Sequence, residues 1–131
     1  MKKTFLILVT ACLVVASLWE TAHCQEDLKA VADPAFKSMR RGPVPFNHDQ
    51  HNEKAKITDC KSCHHLYKSG KLDPSGDSVG TPCSDCHTVA GGKGGMPLMR
   101  AFHRQCGNCH QAKGEGPVTC AGCHPKDGVK N

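Results

Sequence analysis

The sequence predicts a mainly irregular fold with a few short α-helices and little β-structure, built around bulky inserted groups in place of a side-chain core. Three observations predict it. In residues 25–131, Leu, Ile, Val and Phe supply 14 of 107 positions, about 13%, below the roughly 20% at which a chain lacks the apolar surface to order itself. Gly and Pro supply 21 of the same positions, which leaves little room for long helices or strands. Eight Cys and eight His fall in this stretch. A chain so poor in core residues then takes its order from disulfides, metals or a bulky cofactor.

Residues 1–24 stand apart from the rest. Lys2 and Lys3 precede an apolar run from Phe5 to Trp19, and Ala22 and Cys24 follow as small residues. Charge, length and order are those of a secretory signal peptide cleaved after Cys24. The 15-residue apolar run is shorter than the roughly 20 residues that span a bilayer. The expectation is therefore a signal at 1–24 and one domain at 25–131, exported to the periplasm. Cys12 falls inside the signal, and Thr21, Ala22 and His23 make Cys24 a poor lipid anchor.

Along residues 25–44 a short helix is expected around Leu28 to Met39, ended by Gly42-Pro43. His48 and His51 are three apart, as on one helical turn. Lys71 to Pro82 and Gly91 to Pro97 read as Gly/Pro-rich loops. Gly92 to Gly95 lacks the strand and the Lys-Ser/Thr of a phosphate-binding loop, so it reads as a connection. A helix is expected over Leu98 to Cys109, with Leu98, Met99 and Phe102 at helical spacing.

The eight cysteines form four pairs of spacing Cys-x-x-Cys, and each pair is followed at once by histidine: Cys60/Cys63/His64, Cys83/Cys86/His87, Cys106/Cys109/His110 and Cys120/Cys123/His124. With His at 9 of 131 positions, four such placements by chance have a probability on the order of 10⁻⁵, and the pentapeptide is the attachment signature of c-type haem. Two thiols reach the two vinyl groups on one porphyrin edge, and the histidine that follows puts its imidazole beneath the iron. Disulfides and four-thiolate zinc sites would use the cysteines but would not need the histidines. The first three motifs start 23 residues apart and the last follows after 14, with dissimilar intervening stretches and hence no true repeat.

Four irons with one motif histidine each leave His48, His51, His65 and His103 in the mature chain. Four for four favours two histidines at every iron and no open coordination position. Met39, Met96 and Met99 are the competing ligands, but Met96 and Met99 are better placed to pack against a haem face. Two histidines hold iron at a lower potential than a Met/His pair, so low-potential, low-spin haems are expected throughout. His65 follows His64 directly and must serve a different iron. Two imidazole arms on one Cα step keep those irons within roughly 16 Å.

With these motifs placed, the stretch from about Pro45 to His124 resembles cytochrome c₃, the tetrahaem class III c-type cytochromes of sulfate-reducing bacteria. The resemblance rests on Val44-Pro-Phe46-Asn-His48-Asp-Gln-His51, on the adjacent His64 and His65, on the lone His103 and on the order of the four motifs. It implies His48 opposite His64, His65 opposite His87, His51 opposite His110, and His103 opposite His124, with Phe46 between the first and third haems. It also implies a periplasmic electron carrier and not an enzyme. All four motifs here have two residues between the cysteines, whereas many members have four in the second and fourth. The basic docking surface is reduced to Arg100, Arg104, Lys113, Lys126 and Lys130. The chain is in this closer to the acidic, type II members. Partners implied are a hydrogenase or type I cytochrome as donor and a membrane redox complex as acceptor, in anaerobic sulfate respiration.

The mature chain has 15 Lys plus Arg and 11 Asp plus Glu. Eight ionised propionates and the charges of four ferric cores bring that balance near zero oxidised and near −4 reduced. Accumulated negative charge would couple electron uptake to protonation of the propionates. The scattered basic residues have no aromatic interleaving, so no nucleic-acid partner is expected. Two other classes remain open to test: a multihaem reductase of metals or of small nitrogen or sulfur compounds, which needs a vacant iron position, and a membrane-tethered quinol-oxidising subunit, which needs Phe5 to Trp19 retained.

Overall fold

Asp33 and Pro34 decide the path of the N-terminal arm in the computed structural model, which describes residues 28–92 and 95–126. The Asp33 carboxylate accepts from the Ala35 N–H at 2.9 Å, and its carbonyl accepts from the Phe36 N–H at 3.1 Å. This local turn offers the backbone an alternative to helix. The helix expected around Leu28 to Met39 is accordingly replaced by a short strand, β1 (Ala30–Val31), antiparallel to β2 (Val44–Pro45) with Val31 opposite Val44. The expected signal, residues 1–24, lies outside the described residues.

Helix α1 (His48–Ala55) begins where the Asn47 side chain accepts from the Gln50 N–H at 3.0 Å and ends at Lys56, which turns left-handed at φ 53°. A single 3₁₀ turn follows at Cys60–Ser62, capped by Asp59 through the Lys61 N–H at 3.0 Å. Strands β3 (Leu66–Lys68) and β4 (Lys71–Asp73) then form a hairpin with Tyr67 opposite Leu72. This corrects the loop expected from Lys71. Ser69 and Gly70 both have positive φ, 50° and 76°, the two-residue turn whose twist matches that of paired strands. Lys68 Nζ pairs with Asp73 Oδ2 at 2.6 Å and the Ser75 hydroxyl donates to Asp73 Oδ1 at 2.6 Å, and these contacts hold its carboxyl well below the usual carboxylate range, the Lys68 contact first. A carboxyl depressed in the folded state favours folding above its ordinary pKa and loses that contribution progressively as pH falls from there through its lower folded-state pKa. In an acid titration followed by NMR, Asp73 should stay ionised after the other carboxylates have protonated, and Lys68→Ala should move its midpoint up.

The remaining elements are α2 (Cys83–Cys86), α3 (Leu98–Lys113) and α4 (Cys120–Cys123). Helix α3 has 16 residues, about 24 Å of axis, and stops at Gly114 in the left-handed conformation at φ 68°. It runs one turn beyond the expected Cys109. Of the apolar residues spaced along it, Leu98 is fully buried, Phe102 meets Phe36 at 6.4 Å, and Met99 is 60% exposed. Leu98 is the one buried hydrophobic side chain among the described residues.

Candidate metal centres

Each Cys-x-x-Cys-His motif folds as one helical turn. The histidine N–H donates to the carbonyl of the first cysteine in His64 (2.8 Å), His87 (2.8 Å) and His124 (2.9 Å), and the third motif lies inside α3. One turn puts residues i, i+3 and i+4 on a common face, so both thiols and the imidazole of each motif leave the backbone on the same side. The last motif is tied by Thr119, whose hydroxyl accepts from the Gly122 N–H at 3.1 Å. Burial raises the thiols of Cys63, Cys83 and Cys106 above their usual pKa, although all three side chains keep solvent access. Neighbouring groups raise them further: Cys109 acts on Cys63, and Cys63 and Cys123 act on Cys106.

The eight histidines meet in four pairs. Ring centroids are 6.4 Å apart for His48 and His64, 6.2 Å for His51 and His110, 6.1 Å for His65 and His87, and 6.3 Å for His103 and His124. Every pair joins one motif histidine to one histidine outside the motifs. The separations fit a metal between the rings, since a metal–nitrogen bond of about 2.0–2.1 Å plus about 1.1 Å from nitrogen to ring centre, taken twice, gives roughly 6.3 Å. Direct stacking would bring the rings closer. Among the described residues no three or more His, Cys, Asp or Glu side chains converge as a metal cage, and the eight cysteines are unpaired.

Ring orientation is set by what Nδ1 meets. The Nδ1–H groups of His87, His110 and His124 donate to the carbonyls of Met96 (3.1 Å), Pro117 (2.7 Å) and Gly42 (2.8 Å). A donor Nδ1–H leaves Nε2 as the ligating nitrogen, and an acceptor behind it fixes the ring and makes it more basic. The same bonds close the fold, because His124 to Gly42 joins the last motif to the N-terminal arm. Gln105 adds another tie from α3, donating to the Ser62 carbonyl at 2.6 Å. Phe46 lies beside both histidines of α1, 4.9 Å from His51 and 6.2 Å from His48.

Sequence reasoning names the histidines and cysteines but not these carbonyl acceptors, because a carbonyl has no sequence signature. It also missed Gly116, although Gly116-Pro117 follows the third motif closely. A Cβ at Gly116 would lie 2.8 Å from His110 Cδ2, and φ is +85°. Gly116→Ala should therefore displace the His110 ring and cost about 1–3 kcal/mol in backbone strain, read as a lower melting temperature.

Residues 22–124 match the class III cytochrome C family. The chain is similar to the high-molecular-weight cytochrome c of Nitratidesulfovibrio vulgaris Hildenborough, 37% identical over 89 residues that cover 63% of this chain and 14% of that protein. It thus spans a small part of that relative's length. No helix among the described residues is long and apolar enough to cross a membrane.

Proposed function

The chain belongs to the class III cytochrome C family, and from that premise we propose that it is a periplasmic, low-potential electron carrier with four covalent haems, each held between two histidines. The observation that carries this reading is the set of four imidazole pairs at 6.1–6.4 Å. Haem, when bound, supplies a one-electron iron couple.

Cys60 and Cys63 hold the first haem with His64 and His48 as ligands. Cys83 and Cys86 hold the second with His87 and His65. Cys106 and Cys109 hold the third with His110 and His51, and Cys120 and Cys123 hold the fourth with His124 and His103. Eight histidines in four pairs leave no iron with a position for substrate, which favours transfer at haem edges over chemistry at iron. The adjacent His64 and His65 belong to different pairs, as do His48 and His51 on α1. Each of these short segments thereby couples two centres mechanically and keeps them close enough for electrons to pass. Donor and acceptor are redox proteins: a hydrogenase or type I cytochrome on one side and a membrane redox complex on the other, in sulfate respiration.

The test is the purified mature protein. Its mass should exceed that of the polypeptide by four haems, its ferric EPR should be entirely low-spin, and carbon monoxide should bind none of the reduced haems quickly. A colourless protein, or one with free thiols, overturns the reading. Rapid carbon monoxide binding at one haem would favour a reductase.

A further inference from the structure

His48 differs from the other paired histidines in what stands behind its ring. His87, His110 and His124 donate from Nδ1 to neutral carbonyls, whereas His48 Nδ1 meets the Asp49 carboxylate at 2.9 Å. Asn52 Nδ2 also approaches His48 Nε2, but at 3.4 Å. That is the far edge of hydrogen-bonding range, so the Asp49 contact governs the ring. Asp49 sits in the first turn of α1, where the helix dipole favours a negative charge.

We propose that Asp49 is a positioning residue that gives His48 more imidazolate character than its counterparts and thereby selectively lowers the potential of the iron between His48 and His64. The inference rests on the assignment of that pair as axial ligands. A hydrogen bond from a metal-bound imidazole to an ionised acceptor is roughly twice as strong as one to a neutral acceptor. It moves electron density toward the metal, and the ferric ion, with one more positive charge, gains more from that density than the ferrous ion. The Asp49 side chain is 72% exposed, so an isosteric replacement disturbs little packing.

The experiment is a redox titration of the holoprotein with the haems resolved individually by NMR. In Asp49→Asn, at the solution potential where the wild-type haem is half reduced, the reduced-to-oxidised ratio should rise about tenfold, equivalent to 59 mV for one electron, at one haem of four. The ferric EPR g values of that haem should move with it. Through-space charge alone would fade in 1 M salt, where the Debye length is about 3 Å; the hydrogen-bond effect should persist there. Glu53→Gln, which removes a charge from the same helix, should leave the ratio within twofold. Four unmoved potentials in Asp49→Asn, a shift lost in high salt, or an equal shift in Glu53→Gln overturns the role of Asp49. If the wild-type protein instead shows fewer than four low-spin haems, the ligand assignment itself fails.

Discussion

Replacing His103 with methionine should raise the potential of one haem by on the order of 0.1–0.3 V, within the roughly 0.8 V that axial ligands span, and leave the other three close to their original values. His103 is an exposed residue of α3 whose ring faces His124 across 6.3 Å. Methionine is a good helix former, so the substitution keeps the helix and changes the ligand. A thioether stabilises ferrous over ferric iron relative to imidazole, which is the direction in which Met/His pairs differ from two histidines. A methionine charge-transfer band should appear in the oxidised spectrum and the affected haem should reduce first. His103→Ala is the companion variant: it should open one iron to carbon monoxide without the new band. Unchanged potentials in both variants would remove His103 from the ligand set, and with it the four-for-four arithmetic on which the absence of a substrate position depends.

That arithmetic was legible because thiol and imidazole chemistry is written in residue identity and spacing. Sequence count alone sets four further histidines beside the four motif histidines, but it does not say which faces which. Adjacent His64 and His65 cannot both serve one iron, and in the fold they meet His48 and His87 respectively. The arm at 28–39 was misread for a comparable reason. Its apolar residues fall at helical intervals, yet Asp33 can bond its own backbone and Pro34 sits at the corner of the turn, and without a core to reward the helix those local bonds win. The β3–β4 hairpin was hidden by the Gly/Pro content downstream of it, although the Ser69-Gly70 pair was the available signal.

The second large effect concerns the polypeptide deprived of its haems. Residues 25–131, produced without haem attachment, should have no cooperative unfolding transition, a loss comparable to the whole 5–15 kcal/mol of a typical domain. Leu98 is the one buried hydrophobic side chain among the described residues, and burying it contributes about 1.5–3 kcal/mol. Ordering a chain of this length costs conformational entropy that only extensive apolar burial offsets. The two strand pairs, with strands of two and three residues, and the helices of four, eight and 16 residues bring too little apolar contact to offset that. Porphyrin faces must therefore supply most of the buried surface, and covalent attachment shortens the unfolded chain's reach at the same time. The graded version is Cys106→Ala with Cys109→Ala. It removes one haem from the middle of α3, separates His51 from His110, and should lower stability by several kcal/mol while leaving three haem spectra in place. Amide NMR of the haem-free chain decides the matter. Collapsed, poorly dispersed spectra are expected, whereas a dispersed spectrum with a sharp thermal transition would mean that the polypeptide holds its own fold and that the haems are guests in it.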